Sequence, residues 1–168
     1  MRFAPYLLDP TTPPEGKPRK QMTQPGAPKT NLEERGESLG ITFTRGRQWT
    51  SNSHLALQAQ EFAAERGDDG FHFHHRMFKA YFEELADIGD VETLVRLGEE
   101  AGLPAGELRE ALATGVYREQ VDDGIRWAYE IGVTGVPTFI FDEQYGVVGA
   151  QDRAVFEAVM AKLGKQRR

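Results

Sequence analysis

The chain has 168 residues, of which 39% are hydrophobic and 10% aromatic, enough for one domain with a real core and a smaller helical lobe. A net charge of −6 argues against nucleic acid as the main partner, because phosphate binding needs clustered Lys and Arg. No apolar run reaches the roughly 18 residues that a membrane span requires, and the absence of cysteine excludes disulfides and thiolate metal sites. Pro5 and Asp9 interrupt the only apolar stretch at the N-terminus, so no secretory signal is read there and the default compartment is cytoplasmic.

Along the chain, Arg2 to Leu8 reads as a short strand, restricted to a sheet edge because Pro5 has no backbone donor. Asp9 to Pro28 is an extended connection rich in Pro, Thr, Gly and Lys. Leu32 to Leu39 suggests a brief polar helix ending at Gly40, followed by an extended piece, Ile41 to Phe43. A helical block comes next. Leu55, Ala59, Phe62 and Ala63 repeat at helical spacing after possible caps at Ser51 to Ser53. Phe71, Phe78, Tyr81, Phe82 and Leu85 form a second stripe. Asp90 is the expected N-cap of a third helix carrying Val91, Leu94 and Val95 and ending at Gly102. Pro104 opens a fourth with Leu108, Ala111 and Leu112. A fifth carries Val121, Ile125 and Ala128 and ends at Gly132. The period then switches: Thr138 to Phe141 and Tyr145 to Val148 read as a hairpin joined by Asp142-Glu143-Gln144. Phe156, Val159, Met160 and Leu163 mark a last helix, and Lys165 to Arg168 a solvated basic tail. Strand, helical block, hairpin, helix is the order of an α/β lobe interrupted by helices.

Few constellations suggest chemistry. Gly135-Val136-Pro137-Thr138 stands between a helix end and a strand. Spacing alone favours a trans turn there, since only about 5% of X–Pro bonds in folded proteins are cis. His72, His74 and His75 are dense, but no i, i+4 pair or neighbouring carboxylate set completes a metal site, so packed or half-exposed histidines are expected. Ser51, Asn52, Ser53 and His54 lack a Gly-x-Ser-x-Gly elbow and an acidic partner, and read as a helix cap. The carboxylates Glu83-Glu84, Asp87, Glu99-Glu100 and Asp122-Asp123 lie on polar helix faces. Gly67, Gly70 and Gly89 are isolated and make no phosphate loop.

Three ordered stretches carry a family resemblance. They are Phe3-Ala4-Pro5-Tyr6-Leu7-Leu8-Asp9-Pro10 with Pro14-Glu15-Gly16; Phe78-Lys79-Ala80-Tyr81-Phe82 with Asp87-Ile88-Gly89-Asp90; and Gly132-Val133-Thr134-Gly135-Val136-Pro137-Thr138-Phe139 with Gly149-Ala150-Gln151. In combination they resemble the DsbA family of thioredoxin-fold proteins, in particular its FrnE-like branch. The resemblance implies an α/β fold, an incomplete thioredoxin-like fold with a large all-helical insertion. Residues 1–50 and 132–168 would form the thioredoxin-like lobe, and residues 51–131 the insertion. It implies a cis Val136-Pro137 bond, against the reading from spacing. Gly135, Val136, Pro137 and Thr138 would be the loop whose backbone pairs with an extended peptide or protein thiol substrate.

The family's first strand, its Cys-x-x-Cys and the helix which that motif opens would all precede residue 2. The resemblance therefore gives a thiol–disulfide oxidoreductase whose redox centre is missing from these residues, expected to be inactive as it stands. No catalytic residue, cofactor or metal is assigned. A non-catalytic peptide-binding or chaperone-like module is the alternative, and a glutathione-dependent isomerase relative a weaker one. An uncovered sheet edge beside Thr138 to Phe141 is expected to seek a partner, most simply in a homodimer.

Overall fold

A computed structural model describes residues 3–19, 26–68 and 72–164. The chain divides into two compact units, Met1–Ile125 and Arg126–Arg168, with residues 1–50 in the first. The boundary falls inside a helix. Arg2, Phe71, the middle of the proline-rich connection and the basic tail, all read from the sequence, lie outside the described residues.

The first unit opens with residues 3–8, expected as an edge strand, which form no ladder. Pro5 is the buried residue of this segment. The Pro5 ring sits where only glycine fits opposite it: a Cβ on Gly124 would come within 2.5 Å of Pro5 Cγ. Phe3 stacks on His74 at 4.5 Å. A short strand β1 (Lys17–Pro18) pairs antiparallel with β2 (Trp49–Thr50), and the two make a separate two-stranded sheet. Between them, helix α1 (Asn31–Ser38) begins at a capping box. The Thr30 hydroxyl accepts the Glu33 N–H, and the Glu33 carboxylate accepts the Thr30 N–H at 2.7 Å, satisfying two otherwise orphaned donors.

Four helices and the first part of a fifth then build the core: α2 (His54–Glu65), α3 (His72–Phe82), α4 (Val91–Glu100), α5 (Ala105–Thr114) and α6 (Arg118–Glu130). Periodicity explains why each buries one face. Ala59, Phe62 and Ala63 of α2, Leu94 and Leu97 of α4, Leu108 of α5 and Val121 of α6 are closed to solvent. Asp90 caps α4 as expected, accepting the Thr93 N–H at 2.7 Å. The α2 cap falls within the expected Ser51 to Ser53. Ser53 occupies the cap position without a side-chain cap bond, and the Asn52 side chain accepts the His54 N–H at 2.9 Å. In α3 the buried face is Phe73, Met77 and Ala80, not the Phe78 stripe. Phe78 is about half exposed. The helix carries aromatics on two faces, and periodicity alone cannot choose between them. No described helix is long and apolar enough to cross a membrane.

The second unit holds the end of α6, then strands β3 (Thr138–Phe141) and β4 (Tyr145–Val148), then helix α7 (Arg153–Lys162). β3 and β4 pair antiparallel in the register Thr138 with Val148 and Phe141 with Tyr145. Alternation puts Phe139, Phe141 and Val147 on one face, and both phenylalanines meet the Phe156 ring, at 5.0 and 6.3 Å. Asp142 and Glu143 turn the hairpin with φ of 53° and 56°, the left-handed region that a right-twisted hairpin asks of its central residues. Aspartate tolerates it better than glutamate does. Glu143→Gly is therefore expected to stabilise the hairpin by about 0.5–1 kcal/mol, the relief of left-handed strain minus the added unfolded-chain entropy. Slower hydrogen exchange at Tyr145–Val148 would register it. A loss of protection would mean that the Glu143 side chain makes a contact worth more than the strain.

Candidate functional site

The loop from Gly135 to Thr138 forms the entry to β3. Its Val136–Pro137 peptide bond is cis. Two hydrogen bonds fix its lower half: the Thr138 hydroxyl donates to the Gly135 carbonyl at 2.6 Å, and the Gly149 N–H donates to the Pro137 carbonyl at 2.7 Å. Gly149 has a φ of 84°, which favours glycine, and it bends the end of β4 back toward the loop. Gln151 completes the support, its N–H donating to the Gly149 carbonyl at 3.0 Å and its side-chain amide to the Val148 carbonyl at 2.8 Å. Sequence alone gives Gly149 and Gln151 no supporting role, although the Gly-Ala-Gln segment they bracket is one of the stretches that carry the resemblance.

Val136 and Pro137 are exposed, and Gly135 and Thr138 partly so. Among the described residues, neither the N–H nor the C=O of Val136 has a hydrogen-bond partner. This loop offers backbone donors and acceptors beside an apolar surface. It offers no nucleophile and no titratable side chain. Its chemistry is recognition of an extended backbone, the mode in which main-chain hydrogen bonds supply affinity.

The other constellations are structural. His54 has both ring nitrogens engaged, Nε2 with Asp122 at 2.8 Å and Nδ1 with the Gln58 amide at 3.0 Å. It has no nitrogen left to serve Ser51 as a base. The Ser51 hydroxyl itself is buried without a partner among the described residues. His72 is exposed and meets Asp68 at 3.1 Å. His74 lies between the Phe3 and Phe78 rings, each at 4.5 Å, and meets Gln60 at 3.1 Å. Burial first, and the neighbouring His75 second, push its imidazole below the ordinary histidine range. Among the described residues no group of three histidines and carboxylates is placed to hold a metal ion. A shallow cleft of about 220 Å³ is lined by Arg19, Phe43, Arg47, Tyr81 and Phe82. There Arg47 lies 3.8 Å from the Tyr81 ring centroid and donates to the Ala86 and Tyr81 carbonyls, an arrangement that ties the end of α3 to the residues after it.

Comparison with known proteins accounts for the loop and the helices together. Residues 1–161 match the family model described as a DSBA-like thioredoxin domain. The Bacillus subtilis (strain 168) protein YwbO is 28% identical over 172 residues, covering 99% of this chain and 84% of that protein. The crystal structure of a probable DsbA oxidoreductase from Streptomyces coelicolor superposes with a TM-score of 0.72 at 30% identity. That match covers 82% of this chain, which spans only 60% of the neighbour's length. With the match running through nearly all of its residues, the chain belongs to the DSBA-like thioredoxin domain family.

Proposed function

We propose that the chain is the substrate-holding portion of a FrnE-like thiol–disulfide oxidoreductase, and that these 168 residues hold an extended peptide or protein thiol substrate without performing exchange themselves. The observation that carries this is the backbone of Val136, an exposed residue, unpaired among the described residues at the head of β3. An extended ligand laid along Gly135, Val136, Pro137 and Thr138 would satisfy it. Exchange requires attack of a thiolate on a disulfide sulfur through a mixed disulfide, and a polypeptide with no cysteine cannot form one. Likeness to the probable DsbA oxidoreductase of Streptomyces coelicolor supports an oxidoreductase lineage. Since this chain spans 60% of that neighbour, the neighbour's whole activity is not carried over to these residues.

A second reading is a non-catalytic peptide-binding or chaperone-like module using the same loop. Val136, Ile140 and Val148 favour it, being exposed apolar side chains around the loop and hairpin.

Two measurements test the proposal. In an insulin-reduction assay with dithiothreitol, mass-verified protein is expected to leave the rate at its uncatalysed value; turnover above that rate overturns the non-catalytic assignment. In a nuclear magnetic resonance titration with an unstructured peptide, the amides of Gly135, Val136 and Thr138 are expected to shift together. Shifts confined to residues outside this loop would defeat its assignment as the binding site.

A further inference from the structure

The end of helix α3 carries unbalanced positive charge beside part-exposed rings. Residues 44 and 47 are fastened to that end. The Thr44 N–H donates to the Phe82 carbonyl at 3.0 Å, and its hydroxyl donates to the Glu83 carbonyl at 2.5 Å. Arg47 donates to the Tyr81 and Ala86 carbonyls. Arg45 in turn holds the Ala27 and Pro28 carbonyls and pairs with Glu33. These fastened residues line the cleft of about 220 Å³. Its walls are therefore set in advance, which lowers the ordering cost of binding there.

The lining holds three arginines, Arg19, Arg45 and Arg47, against one carboxylate, Glu33. The chain as a whole carries −6, so the cleft reverses the sign locally and favours an anion. Glu33 compensates Arg45, whereas Arg47 spends its bonds on neutral carbonyls and Arg19 forms no ion pair among the described residues. Arg47 is also partly removed from water and repelled by Arg19, with Asp87 the nearby opposite charge. Aromatic surface supplies the rest. Phe43 meets Phe82 edge-on at 5.4 Å, and Tyr81 lies under the Arg47 guanidinium. Leu85 joins the wall from a φ of 59°, where a leucine is strained and a glycine would not be. We infer that the cleft binds a small aromatic carboxylate, its anion held by Arg19 and Arg47 and its ring laid against Phe43 and Phe82. Arg19 supplies a free fork of donors for charge-assisted hydrogen bonds, and Arg47 a fixed charge. Offset or edge contacts with the rings hold the apolar body.

A nuclear magnetic resonance titration of the full 168-residue chain at constant ionic strength tests this with phenylacetate, its neutral isostere phenylacetamide, and acetate. Phenylacetate is expected to shift the Thr44, Gly46 and Arg47 amides saturably. It should bind about tenfold more tightly than either of the others, because each of those lacks one of the two recognised parts. Arg19→Gln is the variant to compare, since Arg19 is exposed and its loss should leave the melting temperature unchanged. It should cut phenylacetate affinity about fivefold and leave phenylacetamide affinity as it was. Phenylacetamide binding as tightly as phenylacetate would overturn the role of the anion, and acetate binding as tightly would overturn that of the ring. Shifts confined to residues outside the cleft would overturn the site, as would an Arg19→Gln chain that holds phenylacetate as well as wild type does. The inference rests on the first unit alone, so its failure leaves peptide recognition at Val136 to its own test.

Discussion

Phe73→Ala is expected to destabilise the first unit by about 3–5 kcal/mol, the usual cost of deleting a fully buried aromatic ring. Phe73 has no exposed surface and lies in one cluster with Phe62, Leu94 and Leu97. The loss combines the transfer free energy of the ring with a cavity that close-packed helices cannot fill. A whole domain is stable by only about 5–15 kcal/mol, so the variant should stand near the edge of folding. The control is Phe78→Ala, five residues along the same helix and 47% exposed, for which about 1 kcal/mol or less is expected. Guanidinium unfolding of both proteins decides between them. Equal losses, or a larger loss for Phe78, would mean that α3 presents its other aromatic face to the core.

That pair of residues also shows where the sequence stops being informative. The segment His72–Phe82 has rings at Phe73, Phe78, Tyr81 and Phe82, so helical period is satisfied by more than one stripe. The stripe that carries Phe78 and Phe82 is not the buried one. What decides is the surface offered by α2 and α4, a tertiary fact without a local signature. Where one stripe is available, as in α4 with Leu94 and Val95 or α6 with Val121, Ile125 and Ala128, the buried face can be read directly. The cap at Asp90 and the hairpin from Thr138 to Val148 are equally legible, because both depend on neighbours within a few residues. The N-terminal segment is not. Apolar residues before Asp9 suggest a strand, but a strand exists only with a ladder partner, and Pro5 instead fills the space left by Gly124, far away along the chain. β1 and β2 are two residues each, too short to leave a period. At the loop, spacing favours a trans turn and family likeness a cis bond, and the bond is cis. Turn composition marks the place, while the supports at Gly149 and Gln151 emerge only from the fold.

The second unit has little buried material, and its integrity is expected to hang on one ring. α7 has no fully buried residue, and Val147 is the one buried hydrophobic residue of the hairpin among those described. Phe156 joins the two elements by meeting Phe139 edge-on at 5.0 Å and Phe141 at 6.3 Å. Aromatic pairs of this geometry contribute beyond their buried area, whereas a ten-residue helix is marginal without a face to pack on. Phe156→Ala is therefore expected to cost about 2–3 kcal/mol, less than a fully buried ring because Phe156 is only partly covered. The loss should be local: exchange protection should fall across Thr138–Phe141, Tyr145–Val148 and α7, with the amides of Leu94 and Leu97 unchanged. Because Gly149 holds the Pro137 carbonyl at the end of this ladder, loosening the hairpin also releases the loop, and the peptide-induced shifts at Val136 should weaken in the same variant. Protection retained through Tyr145–Val148 would show that the strands hold without the ring, and that the loop takes its order from the turn and from Gln151 alone.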